Sequence, residues 1–289
     1  MTATDTKILM VLKQAASNAL LGEVMATPKP GLVDRGNNGA HRDMNLFTFL
    51  RSASAILPYL QEMAETGLSW EASPQELFSA LRPAGREAER AMFRATCGIN
   101  THKGAIFSLG LAVAAAGARY RQTGRLNAGE ILEFCGEMTG EALEKEFRRI
   151  DPSNPATHGE QLYLAYGVRG IRGEVQQGFP SVRLHAIPML RELRKRCGTP
   201  DQALVQTLLC LMANVDDTNV LHRSNLETMR RVQARARAAL GIGGMFTDEG
   251  RAEILRMDRD FICRNVSPGG CADLLAVTIF AERLEMHQP

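Results

Sequence analysis

Apolar residues recur three and four positions apart along most of this chain, the spacing that lays one apolar stripe along a helix. No segment alternates convincingly in the every-second-residue pattern of a half-buried strand. Helical start signals punctuate the pattern. Ser73-Pro74-Gln75-Glu76 and Thr199-Pro200-Asp201-Gln202 each supply an N-cap hydroxyl, Pro at the first helical position, and a Glu or Gln able to reach back. Asn127-Ala128-Gly129-Glu130, Thr247-Asp248-Glu249 and Ser267-Pro268 are similar starts. The pattern predicts helices over 6–26, 45–67, 74–97, 101–122, 128–148, 158–166, 180–197, 200–216, 218–240, 248–265 and 268–286, an all-α protein. Two of them, over Ala105–Ala116 and Leu204–Val215, are apolar on every side and are expected at the centre of a bundle. No repeat and no Pro/Ser/Gly-rich linker divides the chain, so residues 1–289 read as a single-domain multi-helix bundle with central apolar helices.

Composition narrows the partners. With 45% apolar and 23% charged residues a core is affordable and a disordered chain is excluded. Lys plus Arg number 34 against 32 Asp plus Glu, a net +2 that lacks the broad basic field needed for non-specific nucleic-acid binding. Any anion site must therefore be local. The six cysteines include no C-x-x-C pair and read as reduced, mostly buried thiols in a cytoplasm. The chain opens Thr2-Ala3-Thr4-Asp5 without a basic leader, and the longest apolar run, Ile106–Ala118, is short for a bilayer; neither export nor a membrane span is expected.

Candidate chemistry lies in five segments between helices, dense in Gly, Pro, His and charge: Glu23–Met44, Gly98–Ala105, Thr157–Pro180, Asn214–Arg223 and Ser267–Ala276. Taken singly, each could be an ordinary helix-connecting turn. The charges beside them run against the helix dipole, which favours acids at helix starts and bases at helix ends. The stripe Ile8, Leu12, Ala15, Ala16, Ala19 leads straight into Glu23 at a helix end, and the row Val205, Leu209, Met212 leads into Asp216 with Asp217 beside it. These carboxylates need a cation. Conversely, His102-Lys103-Gly104 opens a buried helix, where a cation calls for an anion such as phosphate. Gly269-Gly270 opens the last helix in the same style, and Arg169 and Arg172 add phosphate-binding guanidiniums unless they pair with Glu160 and Glu174. Together these describe a Mg-nucleotide site. The chain has no P-loop, no dinucleotide fingerprint after a strand, no kinase catalytic loop, no G-x-S-x-G elbow and no adjacent His-Asp pair.

Glu23 with Thr27-Pro28-Lys29-Pro30-Gly31-Leu32-Val33-Asp34-Arg35, Gly39-Ala40-His41-Arg42-Asp43-Met44 and Asn100-Thr101-His102-Lys103-Gly104-Ala105 resemble the triphosphoribosyl-dephospho-CoA synthase family. So do Thr157-His158-Gly159-Glu160, Tyr166-Gly167-Val168-Arg169-Gly170-Ile171-Arg172-Gly173-Glu174, Asp217-Thr218-Asn219, and the run from Ser267 to Ala276. The likeness spans nearly the whole chain in order. It implies transfer of the 5-triphosphoribosyl group of ATP to the 2'-hydroxyl of 3'-dephospho-CoA, with loss of adenine. The product is the prosthetic-group precursor of citrate lyase or malonate decarboxylase, passed to a separate transferase that loads the carrier protein.

On this resemblance Lys29, Arg35, Lys103, Gly104, Arg169, Arg172, Gly269 and Gly270 are expected to bind phosphate, and Glu23, Asp216 and Asp217 to hold Mg²⁺. Glu160 is the candidate base or ribose carboxylate, with His102 or His158 as acid or sugar-positioning group. Asp34 and Asp43 could ligate metal or brace Arg35 and Arg42. Asp273, as an acid in a first helical turn, needs no ligand, and His185, His222 and His287 read as ordinary. Two other readings stay open: a Mg-dependent all-α nucleotide or ADP-ribose hydrolase, and a helical module that binds nucleotide without turnover.

Overall fold

A computed structural model describes residues 2–196 and 198–286; Cys197 and His287 lie outside them. Among the described residues every regular element is helical. Five long helices come first: α1 (Ala3–Met25), α2 (Leu46–Leu68), α3 (Pro74–Ala95), α4 (Lys103–Thr123) and α5 (Ala128–Arg148). Then come α6 (His158–Tyr166), α7 (Gly170–Gln176), α8 (Ile187–Arg194), α9 (Pro200–Asn214), α10 (Thr218–Arg223), α11 (Leu226–Gly241), α12 (Asp248–Cys263) and α13 (Gly269–Glu285).

The caps fall where the sequence places them. Ser73 and Thr199 each close a reciprocal box, with Glu76 and Gln202, while Asn127 accepts from the Glu130 N–H. A further box, Thr2 with Asp5, starts α1 three residues before the hydrophobic periodicity begins. Helix α4 is buried from Ala105 to Ala118 save for Phe107, and α9 from Val205 to Ala213. Helix α13 is a third central helix, buried from Leu274 to Glu282: Thr278 turns its hydroxyl onto the Leu274 carbonyl, and Glu282 pairs with Arg194. The buried apolar side chains form one connected cluster that reaches from Ile8 to Leu284. Helix α1, rather than the 106–118 run, is long and apolar enough to cross a membrane, yet half of its most apolar window is buried inside the bundle, where it packs on α2 and α13.

Helices α2 and α4 approach until backbone meets backbone. A Cβ on Gly67 would lie 2.0 Å from the Ala114 carbonyl oxygen, and one on Gly117 2.7 Å from that of Ala64. Because neither obstacle is a flexible side chain, Gly67→Ala is expected to cost at least about 2 kcal/mol. The check is a lowered urea midpoint with an unchanged m-value.

Two predicted helices are built differently. The 218–240 helix is two helices, because Ser224 leaves helical geometry (φ −147°, ψ −114°) and Asn225 caps α11 by accepting from the Thr228 N–H at 2.9 Å. In the 180–197 segment a five-residue π turn, Val182–Ala186, precedes α8, since Pro188 has no N–H to close an α turn on the Leu184 carbonyl. The short α7 was absent from the expected pattern, its glycines masking it.

Candidate active site

The C-terminal end of α1, the 26–45 loop, the N-termini of α4, α6 and α13, and all of α10 converge on one cavity of about 550 Å³. The loop forms one wall and is tied from inside. Asp34 accepts from the backbone N–H groups of Lys29 (2.8 Å), Gly36 (2.6 Å) and Asn37 (3.0 Å). Asp258 of α12 accepts from the Gly31 N–H and the Asn37 amide, both at 2.9 Å. Gly31 has φ +72°, and a Cβ there would lie 2.3 Å from the Val266 carbonyl oxygen, so the turn requires glycine. This wrapping returns Lys29, 1% exposed, to the end of α1, where its ammonium pairs with the Glu23 carboxylate and donates to the Glu23 carbonyl at 2.7 Å. Lys29 is thus the cation that the dipole-opposed Glu23 requires. Both line the cavity.

The N-terminus of α4 forms the facing wall. His102 is 3% exposed, and burial beside the Lys29 ammonium pushes its pKa down to about 3, so the ring is neutral at physiological pH. Thr101 donates to the Ser52 hydroxyl at 2.7 Å, and that hydroxyl lies 2.6 Å from His102 Nδ1. From this chain of donors we assign the ring hydrogen to Nε2, a buried atom without a hydrogen-bond partner among the described residues. Gly104 meets Asp273 rather than open space: a Cβ would lie 1.9 Å from Asp273 Oδ2, and the neighbouring Ala105 N–H favours the ionised form of that carboxylate. Burial, with Glu23 and Asp217 nearby, raises the Asp273 carboxyl well above the usual carboxylate range. Lys103 lines the cavity and pairs with Glu89 at 3.3 Å.

Several expected site residues are placed elsewhere. Asp217 is buried and accepts from the N–H groups of Asn219, Val220 and Cys271 at 2.8, 3.2 and 2.8 Å, capping α10 and α13 together. Gly270 gives that carboxylate room, while Gly269 borders the cavity beside Asn219. Asp216 faces away and is taken by Gln233 at 2.9 Å and Arg230 at 3.6 Å. Glu160 folds back onto the Ala156 N–H at 2.6 Å. Arg35 pairs with Asp201, Arg169 with Glu144 at 2.8 Å and Arg172 with Glu146 at 3.4 Å, so none of the three reaches the cavity. The acids opposite Arg169 and Arg172 come from α5 rather than from Glu160 or Glu174. His158 does line the cavity, its ring stacked on His222 with centroids 3.7 Å apart.

The carboxylates bear directly on Mg²⁺. Of the three expected ligands only Glu23 faces the cavity, where Asp273 and the mostly exposed Asp43 join it. No group of three or more His, Cys, Asp or Glu among the described residues could hold a metal ion. A caged transition metal does not fit, whereas Mg²⁺, which takes one or two carboxylates plus phosphate oxygens and water, fits Glu23 and Asp273. Sequence reading passed over Asp273 because it looks like an ordinary first-turn acid. Its signal was remote, the glycine at 104. Ser52, an unremarkable serine inside α2, carried no signal.

The sequence is similar to those of known proteins. A family model described as ATP:dephospho-CoA triphosphoribosyl transferase matches residues 10–289. A Vibrio cholerae serotype O1 relative is 42% identical over 264 residues, spanning 91% of this chain and 84% of its own. A 2-(5''-triphosphoribosyl)-3'-dephosphocoenzyme-A synthase of Pectobacterium atrosepticum is 41% identical over 271 residues, spanning 93% and 88%. A solved Archaeoglobus fulgidus structure is similar at a TM-score of 0.47 and 21% identity over 82% of this chain and 98% of its own. The match covers every element that walls the cavity, and the chain belongs to the ATP:dephospho-CoA triphosphoribosyl transferase family.

Proposed function

We propose that the cavity holds ATP and 3'-dephospho-CoA side by side and transfers the 5-triphosphoribosyl group of ATP to the 2'-hydroxyl of the second substrate. One observation carries this reading: Glu23 with Lys29, Asp273, Lys103 and His102, whose Nε2 has no hydrogen-bond partner among the described residues, all border one cavity in a chain of this family. Lys29 and Lys103 supply positive charge for a triphosphate, and the His102 Nε2–H donates to a phosphate or ribose oxygen. Glu23 and Asp273 would hold Mg²⁺, which would supply positive charge against the triphosphate.

The chemistry is a displacement at the anomeric carbon. The bond from C1'' to adenine N9 breaks with its electron pair on adenine, and a bond from C1'' to the attacking 2'-oxygen forms. His158 receives the hydroxyl proton, and adenine leaves neutral after taking a proton from solvent. Positive charge that builds on the ribose is stabilised by the nearby carboxylates. Fixing both substrates in one cavity supplies the orientation that the reaction lacks in water. On the same reading the enzyme works in the cytoplasm, where reduced thiols persist. Its product passes to a transferase that loads the carrier protein of citrate lyase or malonate decarboxylase.

The test follows adenine. Purified protein given Mg²⁺ and ATP should release free adenine only when 3'-dephospho-CoA is also present. Release with water alone would make it a hydrolase, and formation of ADP would exclude glycosidic cleavage.

A further inference from the structure

The cavity carries a second group of basic side chains, drawn from other elements. Arg223 of α10 donates through Nη1 to the Ala40 carbonyl at 3.2 Å and to Asn265 Oδ1 at 3.0 Å, and through Nη2 to His41 Nδ1 at 3.2 Å. All three partners are neutral, and no ion pair within 4.0 Å reaches its guanidinium among the described residues. Two of its five N–H donors remain unused. His41 Nε2 lies 3.0 Å from the Ser267 hydroxyl, and burial with Arg223 alongside pushes His41 down to about 4. His222 stacks on His158, and burial with His158 and Arg223 nearby lowers it too. The acid on this side is Asp43, 3.9 Å from His41 Nδ1 and mostly exposed. Burial lowers Arg223 and both histidines, Arg223 adds to the fall at His41 and His222, and Asp43 only partly offsets it at Arg223 and His41.

The two sides of the cavity therefore ask for different phosphates. A phosphate beside Glu23 and Asp273 meets two carboxylates and needs a divalent cation between them. Beside Arg223, His41 and His222 it needs none, and unused guanidinium donors suit it. We propose that Arg223, His41 and His222 form a metal-independent anion site for the diphosphate of 3'-dephospho-CoA, leaving the α1–α4–α13 side to Mg-ATP. The assignment of substrate rests on the transferase reading above. It also brings the dephospho-CoA ribose close to His158, which receives its proton.

The test is a comparison of the two substrates in Arg223→Met, Arg223→Lys and His222→Asn. Loss of charge-assisted bonds should raise KM for 3'-dephospho-CoA about 10- to 100-fold in Arg223→Met, less in the other two, with KM for ATP within about twofold. In EDTA, where no turnover occurs, inorganic pyrophosphate should displace bound 3'-dephospho-CoA in a binding assay, and the variants should lose that displacement. A merely structural Arg223 would shift both KM values together. That result, or a change confined to ATP, overturns the proposal. If Arg223→Met does not fold, His222→Asn decides, because the His222 ring has no hydrogen bond to lose among the described residues. If the wild type releases no adenine, the transferase reading fails. Calorimetric binding of 3'-dephospho-CoA and pyrophosphate in EDTA still decides the anion site.

Discussion

Lys29→Met is expected to destabilise the protein by about 3–5 kcal/mol and to abolish turnover, because it strands the Glu23 carboxylate, 6% exposed, without its cation. The ammonium also satisfies the Glu23 carbonyl at the tail of α1, so a helix-end acceptor is lost with it. Measured by urea denaturation, the single variant should unfold at a much lower midpoint. The double variant Glu23→Gln/Lys29→Met removes both charges and should regain most of the stability, since the cost of the single change is an unpaired buried charge rather than a lost bond. Turnover should not return with it. A double variant as unstable as the single one would mean that Lys29 acts by filling space; one that recovers adenine release would remove the pair from the chemistry.

The pair illustrates what the sequence reveals and what it hides. Glu23 is conspicuous because an acid ends an apolar stripe at the negative end of a helix, and Lys29 lies only six positions away. The helices are equally legible where cap and periodicity agree, as at Ser73 and Thr199. They fail where a local signal sits inside a longer periodic run: the apolar positions continue across Ser224-Asn225, so nothing in the period betrays the break. Arg169 and Arg172 misled for a different reason. Their Gly-rich segment looks like a phosphate loop, but the acids that take them, Glu144 and Glu146, lie on α5, more than twenty positions back and across a helix packing. Asp217 misled through its own strength as a cap: three backbone N–H groups from two helices satisfy a carboxylate that the dipole rule had assigned to a metal. Residues matched to near neighbours are thus readable, and those matched across the fold are not.

Asp273 is the residue where that distance matters most, and Asp273→Asn is expected to stabilise the fold while stopping the reaction. Its carboxyl is held well above the ordinary carboxylate range by burial and by Glu23 and Asp217. A group whose folded pKa is raised binds its proton more tightly folded than unfolded, so stability declines as pH rises from the unfolded pKa through the folded one. Asn carries no charge and removes that slope. The variant should match the wild type near about pH 4 and exceed it near about pH 8, with a melting temperature higher by about 2–4 °C for each kcal/mol relieved. Mg²⁺ requires the ionised carboxylate, so in the wild type Mg-ATP should bind more tightly as pH rises and raise the melting temperature. In Asp273→Asn both the pH dependence of Mg-ATP binding and most of the thermal shift should vanish. Gly104→Ala gives an independent arm: it keeps the carboxylate but displaces it, since a Cβ would lie 1.9 Å from Oδ2, so activity should fall without the gain in stability at high pH. An Asp273→Asn protein that is less stable at every pH, yet still binds Mg-ATP as the wild type does, would make Asp273 a helix cap and leave the metal to Glu23 and Asp43.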